Sequence, residues 1–455
     1  MNIMKRITFG VILVFGSLLL LGSQLGRGWA ALSPSGTGGF LPAYAPWRME
    51  TVDSGNQWNF VNGVSLAFSG ETNNPYVSYY DKDKADLRLA VRSGFGTKKC
   101  TPKSDWSCET VDAQGRVGKN SSLAIFNSKV LTKYGIAYYD ETNHSVKVAI
   151  QTCLSFFGCN AWNFSTIEKL HDVDVKVQPS LVFDSSGKPR LSYQRDNSTY
   201  PHTDIKYARY VGSGGNCGLG DASGKWHCEG VAHYGTGVTD ISLALTSGDQ
   251  PVIAFLDKES GGGDTLQLCR INSSGMWFCQ SIDDISHKSE HVSLALDKNN
   301  HARIAYASDG KNDTLNLRYA YYVGSGGNCG GASDYRCDTI TNDIESVYGT
   351  LAMTLDKSER PVIAYLTKVY QIALARPLAA YQTLPGNCGP DNGFFHTWMC
   401  KHLDSDLVTG NAISVAVDKH GLIAVAFQIN DSIGGLSDLM VARQYYPVYL
   451  PFVVK

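Results

Sequence analysis

Two sets of polar residues recur along this chain at places where chemistry is conceivable. The first is an acid that closes an aromatic-rich apolar run: Asp81, Asp140, Asp196, Asp257 and Asp309, with Thr367 and Asn430 in the corresponding places of two further runs. Such carboxylates can serve as general acids or bases, accept ligand hydroxyls or hold a cation, and they also cap turns by accepting backbone N–H bonds. The segment from Asp81 through Asp83 to Asp86 supplies enough oxygens for Ca²⁺ but lacks a calcium-loop signature. No cofactor is therefore expected, with Ca²⁺ as the alternative. The second set is Gly63, Asn120, Gln178, Asp240, His291, Tyr348 and Ala412, each two residues before a recurring Ser or Thr. Its neighbours hardly vary, whereas this position differs every time. Such asymmetry suits a non-symmetric ligand; solvated polarity is the plain alternative. Asn120, Gln178, Asp240, His291, Tyr348 and the five Asp residues are the candidate ligand-binding positions, and no catalytic residue is assigned.

The elements that must position these residues are short strands. Between Ser242 and Asp283 lie four apolar runs, SLAL, VIAFL, LQLCR and WFCQSI, separated by turn-forming breaks such as SGDQP and NSSGM. The pattern recurs seven times, with first strands starting at Ser65, Ser122, Ser180, Ser242, Ser293, Thr350 and Ser414. Fourth strands open at Trp106, Trp162, Trp226, Trp277, Tyr335 and Trp398, so the last unit lacks one. The missing strand, WRMETVD, stands ahead of the first unit, at 47–53. A displaced strand of this kind is what closing a ring requires, because it pairs with an otherwise open edge. No convincing helix follows residue 31.

The chain here resembles the seven-bladed β-propellers: all-β, with four-stranded antiparallel blades over 46–446. DASGKW (221–226) and NSSGMW (272–277) resemble degenerate Asp-boxes, the hairpin signature of sialidase-like propellers, although Gly follows Asp221 by three residues rather than two. The resemblance implies a structural turn there. That family's arginine triad has no matching motif, since Arg88 and Arg318 fall inside third strands. Propellers host binding proteins, scaffolds and enzymes alike.

Twelve Cys fall into six local pairs, each bracketing one hairpin between third and fourth strands. They are Cys100 with Cys108, Cys153 with Cys159, Cys217 with Cys228, Cys269 with Cys279, Cys329 with Cys337, and Cys388 with Cys400. Antiparallel neighbours can reach disulfide distance. Zinc is disfavoured because no C-x-x-C or His cluster accompanies them.

Residues 1–31 carry Lys5 and Arg6 before an apolar stretch ending near small residues, the pattern of a signal peptide; an uncleaved anchor is the alternative. Residues 32–45 form a lead-in, and the apolar tail 447–455 packs on the rim or serves in docking. A secreted, monomeric chain without a membrane span after signal removal is expected. The formal net charge of −2 argues against nucleic acid as a partner. No G-x-S-x-G, H-E-x-x-H or P-loop occurs, and VGSGGNCG (211–218 and 323–330) reads as hairpin connections. The leading expectation is a non-catalytic protein that binds glycan or an extracellular partner. The alternative is a sialidase-like glycoside hydrolase with acids at the channel mouth.

Overall fold

The structure is a computed structural model that describes residues 45–445 apart from 56–62, 93–97, 156, 171–176, 198–201, 235–236, 259–262, 286–288, 310–314, 345–349, 379–384, 392–395, 404–408 and 431–436. Trp47–Gln444 form one compact unit; the other, residues 1–46 and 445–455, is described only at Ala45, Pro46 and Tyr445. Seven antiparallel sheets make seven blades: Val64–Asp112, Val117–Lys169, Ser180–Tyr234, Val238–Ile285, Ser289–Ile344, Leu351–His402, and Thr409–Gln444 completed by Trp47–Ser54. Strand order within a blade follows the chain, except that blades 2 and 6 carry a short extra strand and blade 7 borrows its outer one. Trp47 pairs with Gln444 and Ser54 with Asp438, which closes the ring as expected. The one helical turn among the described residues is Gly220–Ala222. No helix there is long and apolar enough to cross a membrane.

Each first strand adjoins the first strands of both neighbouring blades, so these seven strands surround the axis. Second strands are covered on both faces by adjacent blades. That is why PVIAFLD is buried at every residue instead of alternating. The core consequently lies between blades: Val52 and Val441 of blade 7 pack with Leu66, Val77 and Trp106 of blade 1. Each such side chain, taken from water, contributes roughly 1.5–3 kcal/mol.

The recurring serines fasten the ring. Ser65 Oγ accepts the backbone N–H of Leu123 in the next blade at 2.9 Å, and Ser122, Ser180, Ser242, Ser293 and Ser414 repeat the bond to Leu181, Leu243, Leu294, Met353 and Leu66. Thr350 does not belong to this series. Ser293 pairs with Ala305 and Leu351 with Tyr365, which puts Ala352, opposite Ala364, in the serine register. The equivalent of His291 in blade 6 is therefore Thr350 rather than Tyr348, and Tyr348 lies outside the described residues. A two-residue offset leaves the alternation of side chains unchanged, so the sequence pattern reads equally well either way.

The cysteines pair as the hairpins predict. Disulfides join Cys100 to Cys108, Cys153 to Cys159 and Cys217 to Cys228 in blades 1 to 3. In blades 4 to 6 they join Cys269 to Cys279, Cys329 to Cys337 and Cys388 to Cys400. No free cysteine remains among the described residues. Direct cross-strand pairing accounts for the simplest of them, since Cys269 stands opposite Cys279 and Cys153 opposite Cys159 in the ladder. In the other four the second cysteine lies on the outer strand, with Cys108, Cys228, Cys337 and Cys400 opposite an Ala, and its partner sits in the segment that folds back on it, which for Cys388 is the short extra strand of blade 6. All six sit on the face that carries the turns between first and second strands, here called the hairpin face. Blade-to-blade connections and the loops between second and third strands share the opposite, connection face. Blade 7 alone has no hairpin between third and fourth strands, because these come from opposite ends of the chain.

Candidate binding site

The channel-mouth positions meet one another across blade boundaries. A Cβ added to Gly63 would lie 2.3 Å from the Asn120 Cα, and Asn120 Nδ2 donates to the Val177 carbonyl at 2.7 Å. Asp240 Oδ2 accepts the Val292 N–H at 3.0 Å and stands 3.2 Å from His291 Nδ1. Asn120, Gln178, Asp240 and His291 are half-buried, while Ala412 is buried. Much of the variation from blade to blade thus goes into bonds between neighbouring blades.

The acids that end second strands separate into different environments. Asp140 is buried and accepts the Asn143 backbone N–H at 2.9 Å, capping its turn. Asp81 binds Lys84 Nζ at 2.9 Å and Arg88 Nη1 at 3.1 Å. Asp257 is buried, and the backbones of Asp196 and Asp309 pair with Thr203 and Leu315. The side chains of Asp196 and Asp309 lie outside the described residues.

Asp81 and Asp140 lead to a constellation that spans two repeats. In blade 2, Tyr138 Oη donates to Asp112 of the preceding outer strand at 2.5 Å, and Lys147 Nζ lies 2.6 Å from that carboxylate and 3.5 Å from Asp140. Blade 1 repeats it with Tyr79, Arg88 and Asp53, with Arg88 Nη1 2.6 Å from Asp53 and also on Asp81. Tyr306, Arg318 and Asp283 form the same triad in blade 5. In blade 3, Tyr193 donates to Glu168 at 2.6 Å, while Arg195, from the second strand, supplies the cation. Blade 4 has Phe255, Ala232 and Gln267 at these positions, so hydroxyl, acid and cation are missing together. The signal was present in the sequence: an acid six residues after the fourth-strand Trp, and a basic residue opposite the second-strand Tyr.

Burial pushes the Asp53 carboxyl up, against the pull of the Tyr79 hydrogen bond and the Arg88 charge. For Asp112 burial is outweighed by hydrogen bonds from Lys147 and Tyr138, which hold it below the usual range. Asp81 is likewise held low, by Lys84 and Arg88 in spite of burial.

Of the candidate ligand-binding positions, Asp81 alone lines a cavity at the seam where blade 7 meets blade 1. On the connection side, a cavity of about 250 Å³ is lined by Asp53, Tyr79, Asp81, Lys84, Arg88 and Asp438. A larger one of about 630 Å³ opens between Arg48, Glu50, Lys103 and Asp105 on the hairpin side and runs along the borrowed strand as far as Ser54 and Asp438. Glu50 reaches it from the borrowed outer strand, and the other wall is the Cys100–Cys108 loop. The Glu50 side chain is only 4% exposed. Its Oε2 accepts from Arg92 Nε at 2.7 Å and Trp106 Nε1 at 3.2 Å. Oε1 has no hydrogen-bond donor among the described residues, and the Arg48 Nε stands 3.9 Å away. A buried carboxylate oxygen without a donor costs about 1–3 kcal/mol or more, which an incoming O–H or N–H would recover once the side chain turns its closed-off Oε1 into the cavity.

The Asp-box-like segments are turns. Asn272 Oδ1 accepts the N–H groups of Ser274 and Met276, whereas Asp221 is exposed beside the short helical turn. The better-formed Asp turns join first and second strands: Asp184, Asp297, Asp356 and Asp418 each accept two backbone N–H groups.

No protein-family model and no curated protein matches the chain. Among solved structures it is similar to the BP39L lectin from Burkholderia pseudomallei, at 12% identity and a TM-score of 0.47, covering 84% of this chain and 96% of that one. AofleA from Arthrobotrys oligospora matches at 12% identity and a TM-score of 0.44, over 83% and 93% of the two chains. A subtype N11 neuraminidase-like protein of A/flat-faced bat/Peru/033/2010 (H18N11) matches at 10% identity and a TM-score of 0.41, over 92% and 99%. At these values none of them argues for an activity or a ligand.

Proposed function

We propose that this chain is an exported, monomeric, non-catalytic binding protein that holds a glycan in the hairpin-side cavity between blades 7 and 1. The observation that carries the reading is Glu50, buried in the cavity wall with one oxygen lacking a donor. A sugar hydroxyl both donates and accepts. Here it would donate to Glu50 or Asp105 while a neighbouring hydroxyl accepts from Arg48 or Lys103. The volume of about 630 Å³ falls in the range of small-ligand sites and suits one or two sugar rings. Six disulfides fit an oxidising, extracellular setting.

A hydrolase reading is favoured by one feature, the two carboxylates Asp53 and Asp81 on a single Arg88 nitrogen with their proton affinities driven apart. Recurrence weighs against it. The Tyr–cation–acid arrangement returns in blades 2 and 5. A catalytic centre serves one asymmetric substrate and gains nothing from such copies, whereas a fastening between blades does.

The test is a glycan array followed by calorimetry on the wild type, Glu50→Gln and Lys103→Ala. Each variant should weaken the selected glycan by tenfold or more, since each removes a hydrogen bond to or from a charged group. Undiminished binding by both variants refutes the site. Release of reducing sugar that disappears in Asp53→Asn would establish the hydrolase instead.

A further inference from the structure

The second and third strands of blade 2 run further toward the hairpin face than those of the other six blades. In those blades the second strand starts four residues before its core aromatic, as Pro75 does before Tyr79 and Pro251 before Phe255. In blade 2 it starts at Leu131, seven residues before Tyr138. The third strand runs correspondingly on to Leu154, pairing with Leu131. At this end each of the two strands is three residues longer, about 10 Å of added strand.

The projecting tip is apolar. Phe157 is 86% exposed, Val130 65% and Leu154 43%. The Ser155 N–H donates to the Val130 carbonyl at 3.2 Å, which ties the two turns together, and the Cys153–Cys159 disulfide braces the base. Exposed cations surround it: Lys129 on the tip itself, Lys98, Lys99 and Lys103 on blade 1, and Lys188 on blade 3. Of the acids on this side, Asp221 of blade 3 is exposed and others are partly occupied. Asp105 stands 3.4 Å from Arg48 and 3.7 Å from Arg92, and Glu71 accepts from Thr132 at 3.4 Å. Two more exposed apolar side chains, Met276 and Phe278, lie on the hairpin face of blade 4.

We propose that the hairpin face docks on an anionic lipid surface, with the tip of blade 2 entering the boundary between headgroups and acyl chains. A rigid apolar projection ringed by lysines is the arrangement that such a surface rewards, burying the tip while the cations meet lipid phosphates. A protein partner would need a broad contact of roughly 1,000 Å² or more, and three side chains on a narrow stalk do not provide it. This inference shares Lys103 and the hairpin face with the glycan reading but rests on the tip of blade 2, which does not line that cavity.

The experiment uses the full chain with vesicles of phosphatidylcholine alone or mixed with phosphatidylglycerol. Co-sedimentation should favour the anionic vesicles and weaken with salt, and amide exchange at 152–159 should slow on binding. Leu154→Ser with Phe157→Ser should reduce the affinity by about tenfold or more, given two partly inserted apolar side chains. Lys129→Glu with Lys188→Glu should remove the preference for the anionic vesicles. All these residues are exposed, so folding is retained, and the apolar stretch in 1–31 is common to every variant. The proposal fails if the serine variant sediments like the wild type, or if exchange at 152–159 is unchanged. It also fails if glycerol phosphate alone displaces the protein, or if the tip captures a protein partner while ignoring vesicles.

Discussion

At the scale of single residues, the Tyr–cation–acid triad shows how a buried charge is tolerated only as part of a complete set. Blade 4 replaces hydroxyl, acid and cation together, and blade 6 keeps the Tyr365 hydroxyl but has Thr341 and Ala373 in place of acid and cation, so the two charges go together where either alone would be desolvated without a partner. The triads of blades 1 and 2 look alike but answer pH oppositely. Asp112 has a depressed carboxyl, so its contribution is complete above the ordinary carboxylate value near 3.8 and is lost as pH falls through its lower folded value. Asp53 has a raised one. Its contribution is present below the ordinary value and is lost as pH rises through the folded value. At neutral pH, Asp112→Asn should therefore destabilise by about 3–5 kcal/mol, the range for breaking a buried pair. Asp53→Asn should cost clearly less. Urea unfolding of both variants at pH 7 checks the order, and equal losses would mean that burial of Asp53 is not what decides its protonation.

At the scale of elements, neighbouring blades are fastened twice. Around the axis, six serines accept a backbone N–H from the following blade. On the hairpin face, a turn residue donates its backbone N–H to a side chain from the next blade: Ser185 to Asp249, Ser247 to Asn300, Lys298 to Glu359 and Lys419 to Asn73. The four acceptors all have positive φ, close to 60°. Asn and Asp tolerate that conformation better than most side chains, which accounts for three of the four. In the serine series blade 6 is the exception, because Ala352 offers a methyl group where the others offer a hydroxyl. Ala352→Ser should add the missing bond to the Val415 N–H and stabilise the protein by about 0.5–1.5 kcal/mol. Ser242→Ala should destabilise by a similar or larger amount. Thermal unfolding of the two variants should move the midpoint in opposite directions, and a loss of stability in Ala352→Ser would show that the register assigned to blade 6 is mistaken.

At the scale of the whole molecule, the seam between blades 7 and 1 carries both the closure of the ring and the candidate site. Eight residues, Trp47–Ser54, complete blade 7 and supply Glu50 and Asp53. Removing them would expose the edge of Ser437–Gln444 and uncover the apolar cluster around Val52 and Trp106. A chain beginning after Ser54 should therefore self-associate, and light scattering on a sizing column should find oligomers or aggregate. A monodisperse monomer with unchanged unfolding would mean that the borrowed strand contributes little to closure.

The sequence by itself determined whatever is local to one repeat. Four strands, their order, the Cys pairs 6 to 12 residues apart and the displaced outer strand are all visible, because their partners lie within one blade or share an unmistakable Trp-led pattern. Only the tertiary structure decided what happens between repeats. Asp112 and Tyr138 stand 26 positions apart in different blades, Ser65 and Leu123 stand 58 apart, and Glu50 meets Trp106 across 56. No periodicity within a strand encodes those contacts, since each repeat is regular without them. The same reason explains the offset at Thr350, where the alternation is preserved and only pairing with the second strand fixes the register.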